Sequence, residues 1–207
     1  MQTDDSTPHP GLEHSDSLLA QQTLAGDQNA FAVLVRRYST PLFTFICYVL
    51  HDVTEAEDVL QHVFLKLYLA LPTLNTDGPL SPWLFRVARN RCLDEMRRKH
   101  AYLFSEVEEE MREYESSDLV MLLDASPSPE ELAEQHELQS QVQHAIRALP
   151  PKLRAIVLLR YAGQLGFSEI AQVLGIPEAT AKTYMHRAKP RLRAALSDQM
   201  KRTLDTV

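Results

Sequence analysis

Phe167-Ser-Glu-Ile-Ala-Gln-Val-Leu-Gly-Ile-Pro-Glu-Ala-Thr-Ala181 reads as two short helices joined by a tight turn. Ala171 is small where the helices must cross closely, and Gly175 stands where a sharp turn favours positive φ. Ile170, Leu174 and Ile176 supply an apolar wedge, and Pro177 opens the second helix. Along that second helix Ala181, Met185, Ala188 and Leu192 recur as an apolar stripe. Lys182, His186, Lys189 and Arg193 recur as a basic stripe at the same spacing, with Thr183 and Arg187 beside it. One face is built to pack and the other to enter a major groove. Pro190 predicts a kink after Ala188, or the end of the regular helix.

Upstream, the same helical spacing dominates. Ser15 to Ala25 predicts a short helix, closed by Gly26 and followed by a cap at Asp27. Phe31, Leu34, Val35, Tyr38, Leu42, Phe45, Ile46 and Val49 then mark a long helix that Pro41 is expected to bend or divide. Thr54 to Glu57 has the pattern of a capping box leading into Val59, Val63, Phe64, Leu67 and Leu71. After a loop from Pro72 to Gly78, Ser81-Pro-Trp-Leu-Phe-Arg-Val-Ala-Arg-Asn-Arg-Cys-Leu-Asp-Glu-Met-Arg-Arg-Lys99 starts with an N-cap and a proline at the first helical position. In this helix Arg86, Asn90, Asp94 and Arg97 share a polar face, while Phe85, Ala88, Cys92 and Met96 pack inward. Asn90 can hydrogen-bond a base edge and the arginines can hold phosphates, with Leu74 to Leu80 placed to wall a pocket for an unpaired base. Trp83 reads as core. No stretch alternates like a half-buried strand.

Charge divides the 207 residues into the same parts. The formal net charge is -7, which argues against a simple nucleic-acid coat. Trp83 to Ala101 nevertheless carries six basic side chains against Asp94 and Glu95, a net of +4. Leu103 to Glu137 holds twelve acids against Arg112, a net of -11, and Pro150 to Leu204 has a net of +7. Two basic modules on an acidic connector fit separate phosphate contacts. The expected architecture is all-α: a disordered tail over 1–14, a helical bundle over 15–101, an acidic linker over 102–128, and a helix-turn-helix domain over 129–207. Within the last, a capping box at Ser128 to Glu131 opens a helix to Leu149, and a second helix follows Pro150-Pro151.

Cys47 and Cys92 are the only cysteines, so a disulfide framework or four-thiolate zinc site is excluded and buried free thiols are expected. Met1 to His14 lacks the basic start and apolar run of a secretory signal, and no run reaches membrane-spanning length. A cytoplasmic protein is expected, without membrane insertion. Asp58 and His62 lie four apart with His51, Glu55 and Glu57 nearby, but a metal site needs three convergent ligands at a standard spacing. Neither cofactor nor metal is expected.

Three motifs in order carry a family resemblance. Ala56-Glu-Asp-Val-Leu-Gln-His-Val-Phe-Leu-Lys-Leu-Tyr68, the Ser81 to Arg98 helix, and Leu149-Pro-Pro-Lys-Leu-Arg154 with the helix-turn-helix resemble an extracytoplasmic-function (group four) sigma factor of bacterial RNA polymerase. The resemblance spans about Asp27 to Lys99 and Ala148 to Leu196. It implies a subunit that directs core polymerase to promoters and performs no catalysis. It further implies docking of Asp58, Gln61 and Phe64 on the clamp helices of the largest polymerase subunit, with the flap as a further polymerase contact. Minus-ten DNA would be held by Asn90 at a flipped-out base, by Leu74 in the pocket loop, and by Arg86, Arg97 and Arg98 on phosphates. Lys182, Thr183, His186 and Arg187 would read the minus-thirty-five duplex, and an anti-sigma factor would be a partner. Leu74 stands where an aromatic is common, and Ala179, Ala181 and Tyr184 replace the usual Gly, Val and Arg. A regulator using only the helix-turn-helix is the alternative; it would have no need of the two upstream motifs.

Overall fold

The computed structural model describes residues 15–105 and 140–204, and all regular structure among them is helical. The expected tail over 1–14, most of the acidic linker, and the Ser128 to Glu131 cap lie outside the described residues. Helices α1 (Asp16–Leu24), α2 (Gln28–Leu50), α3 (Val53–Ala70) and α4 (Ser81–Ser105) form the first bundle. Helix α5 (described over 140–147), α6 (Pro151–Tyr161), α7 (Phe167–Leu174) and α8 (Glu178–Leu204) form the second.

Short polar side chains set the helix starts. Ser15 caps α1 by accepting from Leu18 N–H at 3.2 Å, and Asp27 caps α2 by accepting from Asn29 N–H at 2.8 Å. The start of α3 differs from the expected box at Thr54: Asp52 is the cap, accepting from Glu55 N–H at 2.9 Å. An aspartate in extended conformation two residues earlier satisfies the free N–H groups first, so the helix begins at Val53. Gly175 closes α7 at φ 65°, the left-handed conformation the turn required.

Neither internal proline ends its helix. Pro41 lies inside α2 and Pro190 inside α8. A mid-helix proline costs about 3 kcal/mol. Burial on both sides offsets that cost: Leu34, Tyr38, Leu42, Phe45 and Ile46 anchor α2 around Pro41, while Met185, Ala188 and the half-buried Leu192 flank Pro190. Each fully buried large side chain contributes about 1.5–3 kcal/mol. α4 also runs past Lys99 to Ser105.

The first bundle packs α2 against α1, α3 and α4, with Phe45 and Phe85 edge-to-face at 5.5 Å. The second packs α6, α7 and α8 together, and Arg160 braces the α6–α7 turn by donating to Leu165 O at 2.9 Å and lying over the Phe167 ring. The two bundles are not independent: α4 touches α7, α2 touches α6, and their buried side chains join in one cluster. At this junction the Gly163 Cα faces the Phe85 ring so closely that an added Cβ would lie 3.0 Å from it, and 2.8 Å from Leu159 O. Cys47 and Cys92 are buried free thiols, both pushed up to about 12 chiefly by burial. Among the described residues no helix is long and apolar enough to cross a membrane.

Candidate nucleic-acid interface

Helix α4 projects its polar face as its spacing predicts, except that Met96, expected to pack inward, is exposed one turn beyond the buried Cys92. Leu84, Phe85, Ala88 and Cys92 are fully buried, which turns Arg86, Asn90, Arg97 and Arg98 outward. Arg97 and Arg98 pair along the helix with Asp94 (3.5 Å) and Glu95 (3.3 Å), while Arg91 is tied to Glu95 one turn on. The Arg97 pair is exposed and weak, one that a phosphate can replace, and Arg98 is exposed although its partner Glu95 is largely covered; the Arg91 pair is more sheltered. Asn90 and Arg86 have no side-chain partner among the described residues, so their donors are free for a ligand. Leu74, by contrast, is half-buried and leans on the hydrophobic cluster. Trp83 is likewise packed against the cluster.

The loop before α4 is held at both ends. Thr73 and Leu74 N–H groups bond to Ala70 O at the end of α3, and Leu80 at the far end is buried. A local turn, Asp77 N–H to the Asn75 side chain at 2.9 Å, shapes its middle. Asp77, Gly78 and Pro79 line a cleft of about 700 Å³ with Asp16, Arg37 and Phe85, and Gly163 and Gln164 of the second bundle line it too.

On α8, buried Ala181, Met185 and Ala188 face the core and leave Lys182, Thr183, His186 and Arg187 exposed together. Lys182 pairs with Glu178 at 2.7 Å, and the Thr183 hydroxyl donates to Ala179 O at 2.8 Å. His186 and Arg187 are without a partner among the described residues. They line a groove with Lys152, Pro190 and Arg191, which adds cations that the recognition-helix pattern alone did not single out.

Helix α3 presents a third surface. Asp58 and Gln61 are exposed, but Phe64 is 9% exposed and belongs to the core. The face carrying Asp58 and Gln61 continues instead through Leu65, Tyr68 and Leu69, which are 57%, 57% and 64% exposed. Sequence reasoning missed these three. Their signal was the stretch from Val63 to Leu69, apolar except for Lys66 and so wider than one buried stripe. Glu55 is engaged by Lys99 at 2.8 Å, tying α3 to α4.

Sequence reasoning also missed the bond between the bundles. His51 closes α2 in the left-handed region (φ 58°), and its Nε2 lies 3.2 Å from Arg154 Nη1, which donates to it. Arg154 also donates to Arg147 O at 2.6 Å and Leu149 O at 3.2 Å. Burial first, then Arg154 and Arg147, hold the His51 pKa below its usual value. The neutral ring is therefore the form that accepts. The contact's stability is present above His51's ordinary pKa of about 6.5 and is lost as pH falls through the depressed value. Lowering pH from 7.5 to 5.5 is expected to reduce the melting temperature of the wild type more than that of His51→Gly, a residue at ease at positive φ. Calorimetry giving parallel curves would exclude this role for His51.

Comparison with known proteins places the chain in a family. The family model described as Sigma-70 region 2 matches residues 34–102, and that described as Sigma-70, region 4 matches residues 139–192. The ECF RNA polymerase sigma factor SigW of Bacillus subtilis is 32% identical over 178 residues, covering 86% of this chain and 95% of that protein. The RNA polymerase sigma-H factor of Pseudomonas aeruginosa is 31% identical over 89% of this chain and 95% of its own length. Among solved structures, CnrH in complex with the cytosolic domain of CnrY shares the fold with a TM-score of 0.57. Its identity is 24%, with 89% of this chain and 99% of that one covered. The sigma factor RpoE in complex with the anti-sigma factor NepR from Bartonella quintana also shares it, with a TM-score of 0.57 and 21% identity over 80% of this chain and 93% of that one.

Proposed function

The chain belongs to the extracytoplasmic-function branch of the sigma-70 family and is a promoter-recognising RNA polymerase sigma factor, and on that premise we propose how its surfaces divide the work. Residues 15–101 bind core polymerase and the minus-ten element, and residues 129–207 bind the minus-thirty-five element. The α3 face of Asp58, Gln61, Leu65, Tyr68 and Leu69 docks on the polymerase clamp helices, with Phe64 holding that face from beneath. Asn90 captures an extruded base beside the 72–80 loop, and Arg86, Arg97 and Arg98 hold the phosphates of the melted strand. Lys182, Thr183, His186 and Arg187 enter the major groove of the upstream duplex. The chain makes and breaks no bond; captured bases offset the stacking lost on opening. An anti-sigma factor is a further partner in this reading, as in the complex of RpoE with NepR.

The observation that carries this reading is the pair of unpartnered polar groups on separate helices, Asn90 with Arg86 on α4 and His186 with Arg187 on α8. Both stand on rigid helices whose opposite faces are buried. Run-off transcription with core polymerase on a genomic library tests it. Discrete start sites dependent on this protein are expected; no association with core and no start-site selection would refute it.

Arg187→Ala is expected to weaken binding to the duplex minus-thirty-five element by roughly 1–3 kcal/mol if the guanidinium reads a base. If it holds only a phosphate, the loss is smaller and the salt slope falls by about 1. Fluorescence anisotropy across a salt series distinguishes the two. Capture of single-stranded minus-ten DNA should be unchanged.

A further inference from the structure

Asp16 is the one charged side chain buried among the described residues, at 8% exposure. It sits in the first turn of α1, where a sequence reading sees only a favourable acid near a helix start. Its carboxylate is fully committed. Oδ1 accepts from Arg37 Nη1 at 2.5 Å, and Oδ2 accepts from the buried Tyr38 hydroxyl and from the backbone N–H of Leu80 at 2.8 Å. Burial and the neighbouring carboxylate hold the Tyr38 pKa far above its usual value, so the phenol stays protonated and donates. One side chain thus joins α1, α2 and the residue before α4, across 64 positions of sequence.

Leu80 is where this matters. Its N–H goes to Asp16 and its carbonyl accepts from Leu84 N–H at 3.0 Å, so it ends the 72–80 loop and starts the α4 helix that carries Asn90. The loop's other end is fixed by α3, and its middle has only the Asn75 turn. At the far end Asp16 holds the Leu80 backbone, beside a second tie from the Ser81 side chain to the Tyr38 hydroxyl. A buried ion pair contributes little net stability compared with apolar packing of the same volume. Its value lies in fixing a geometry, since the carboxylate oxygens accept only where the donors stand.

We propose that Asp16 is a positioning residue for promoter opening: by holding Leu80 N–H it sets the 72–80 loop at the spacing from Asn90 that an extruded minus-ten base requires. This rests on the minus-ten assignment of Asn90 and the loop. Without the anchor, the loop must be ordered when DNA binds, and that cost appears as lost strand affinity.

The test uses holoenzyme assembled from core polymerase and full-length protein. The probe is a labelled single strand carrying the minus-ten element of a promoter the wild type uses, with 2-aminopurine at the captured position. Asp16→Ala is expected to lose about tenfold in strand affinity, with the 2-aminopurine signal falling toward that of the stacked strand. Core affinity and duplex binding should stay within about twofold. Asp16→Asn keeps an acceptor oxygen for Leu80 N–H and should restore most of the loss. Tyr38→Phe removes one donor to the same carboxylate and the hydroxyl that Ser81 bonds, but keeps the Leu80 N–H bond to Asp16, so at equal folded fraction it should retain most of the wild-type strand affinity. Asp16→Ala matching either wild type or Tyr38→Phe would overturn the proposal. Should Asp16→Ala not fold, hydrogen exchange of the wild type decides: slow exchange at Leu80 supports the anchor, and exchange at the rate of an open loop amide overturns it. Wild-type holoenzyme that captures no strand would overturn the minus-ten reading, and this inference with it.

Discussion

Asn90→Ala is expected to reduce open-complex formation by tenfold or more while leaving the protein as stable as the wild type. The two halves of that expectation have separate causes. Asn90 is exposed on α4 and has no side-chain partner among the described residues, so its removal breaks no intramolecular bond. Alanine is the better helix former, and substitution at such a surface position changes stability by about 0.5 kcal/mol or less. A two-point amide contact to a base, by contrast, is worth about 1–3 kcal/mol, roughly five- to 150-fold in an equilibrium constant. Permanganate footprinting of the melted strand, alongside a melting curve and core-binding titration, separates the two. Equal loss of core binding and of opening would contradict the assignment, because the proposed docking face lies on α3 and does not include Asn90. Arg86→Ala should share the opening defect in milder form, with its loss shrinking as salt rises.

Gly163→Leu is expected to separate the two bundles. The α6–α7 turn approaches α4 so closely that any Cβ at Gly163 meets the Phe85 ring at 3.0 Å. Phe85 cannot retreat, because it is fully buried and stacked edge-on against Phe45. The turn must therefore move, and forcing extra carbons into such a junction costs about 1–3 kcal/mol. Labels at Arg36→Cys and Gln172→Cys, both exposed sites, report the separation by electron paramagnetic resonance, since the native thiols are buried. A longer, broader distance distribution is expected, with α-helical content retained. An unchanged distance in a folded variant would show that the junction does not depend on this contact. The packed arrangement has a functional consequence. Elements whose names place them about 25 base pairs apart are separated by roughly 85 Å of duplex at ~3.4 Å per pair. On the proposed assignment, the bundles in contact at α4 and α7 are expected to part when one chain reads both elements.

Much of this molecule was legible in residue order. The helices from Ser15 to Leu50 and the turn at Gly175 follow from caps, apolar spacing and glycine chemistry, and the helix from Ser81 follows from its apolar spacing, although Leu80 and not Ser81 takes the cap position; all of these act within a few residues. For the same reason the outward direction of Arg86, Asn90, Lys182 and Arg187 was readable: burying one stripe of a helix exposes the opposite one. Local grammar went astray where tertiary packing competes with it. Pro41 and Pro190 could each have ended a helix as well as bent it, yet enough apolar surface is buried around each to keep the helix continuous. Phe64 and Leu65 are adjacent apolar residues, and only the placement of α2 and α4 against α3 sends one to the core and leaves the other exposed.

What residue order determined, then, is the set of helices and the face each shows. Their mutual arrangement belongs to the folded chain alone. Asp16 meeting Leu80, His51 meeting Arg154, and Gly163 meeting Phe85 join positions 64, 103 and 78 residues apart. No periodicity spans such distances, because each pair depends on how several helices share one buried volume.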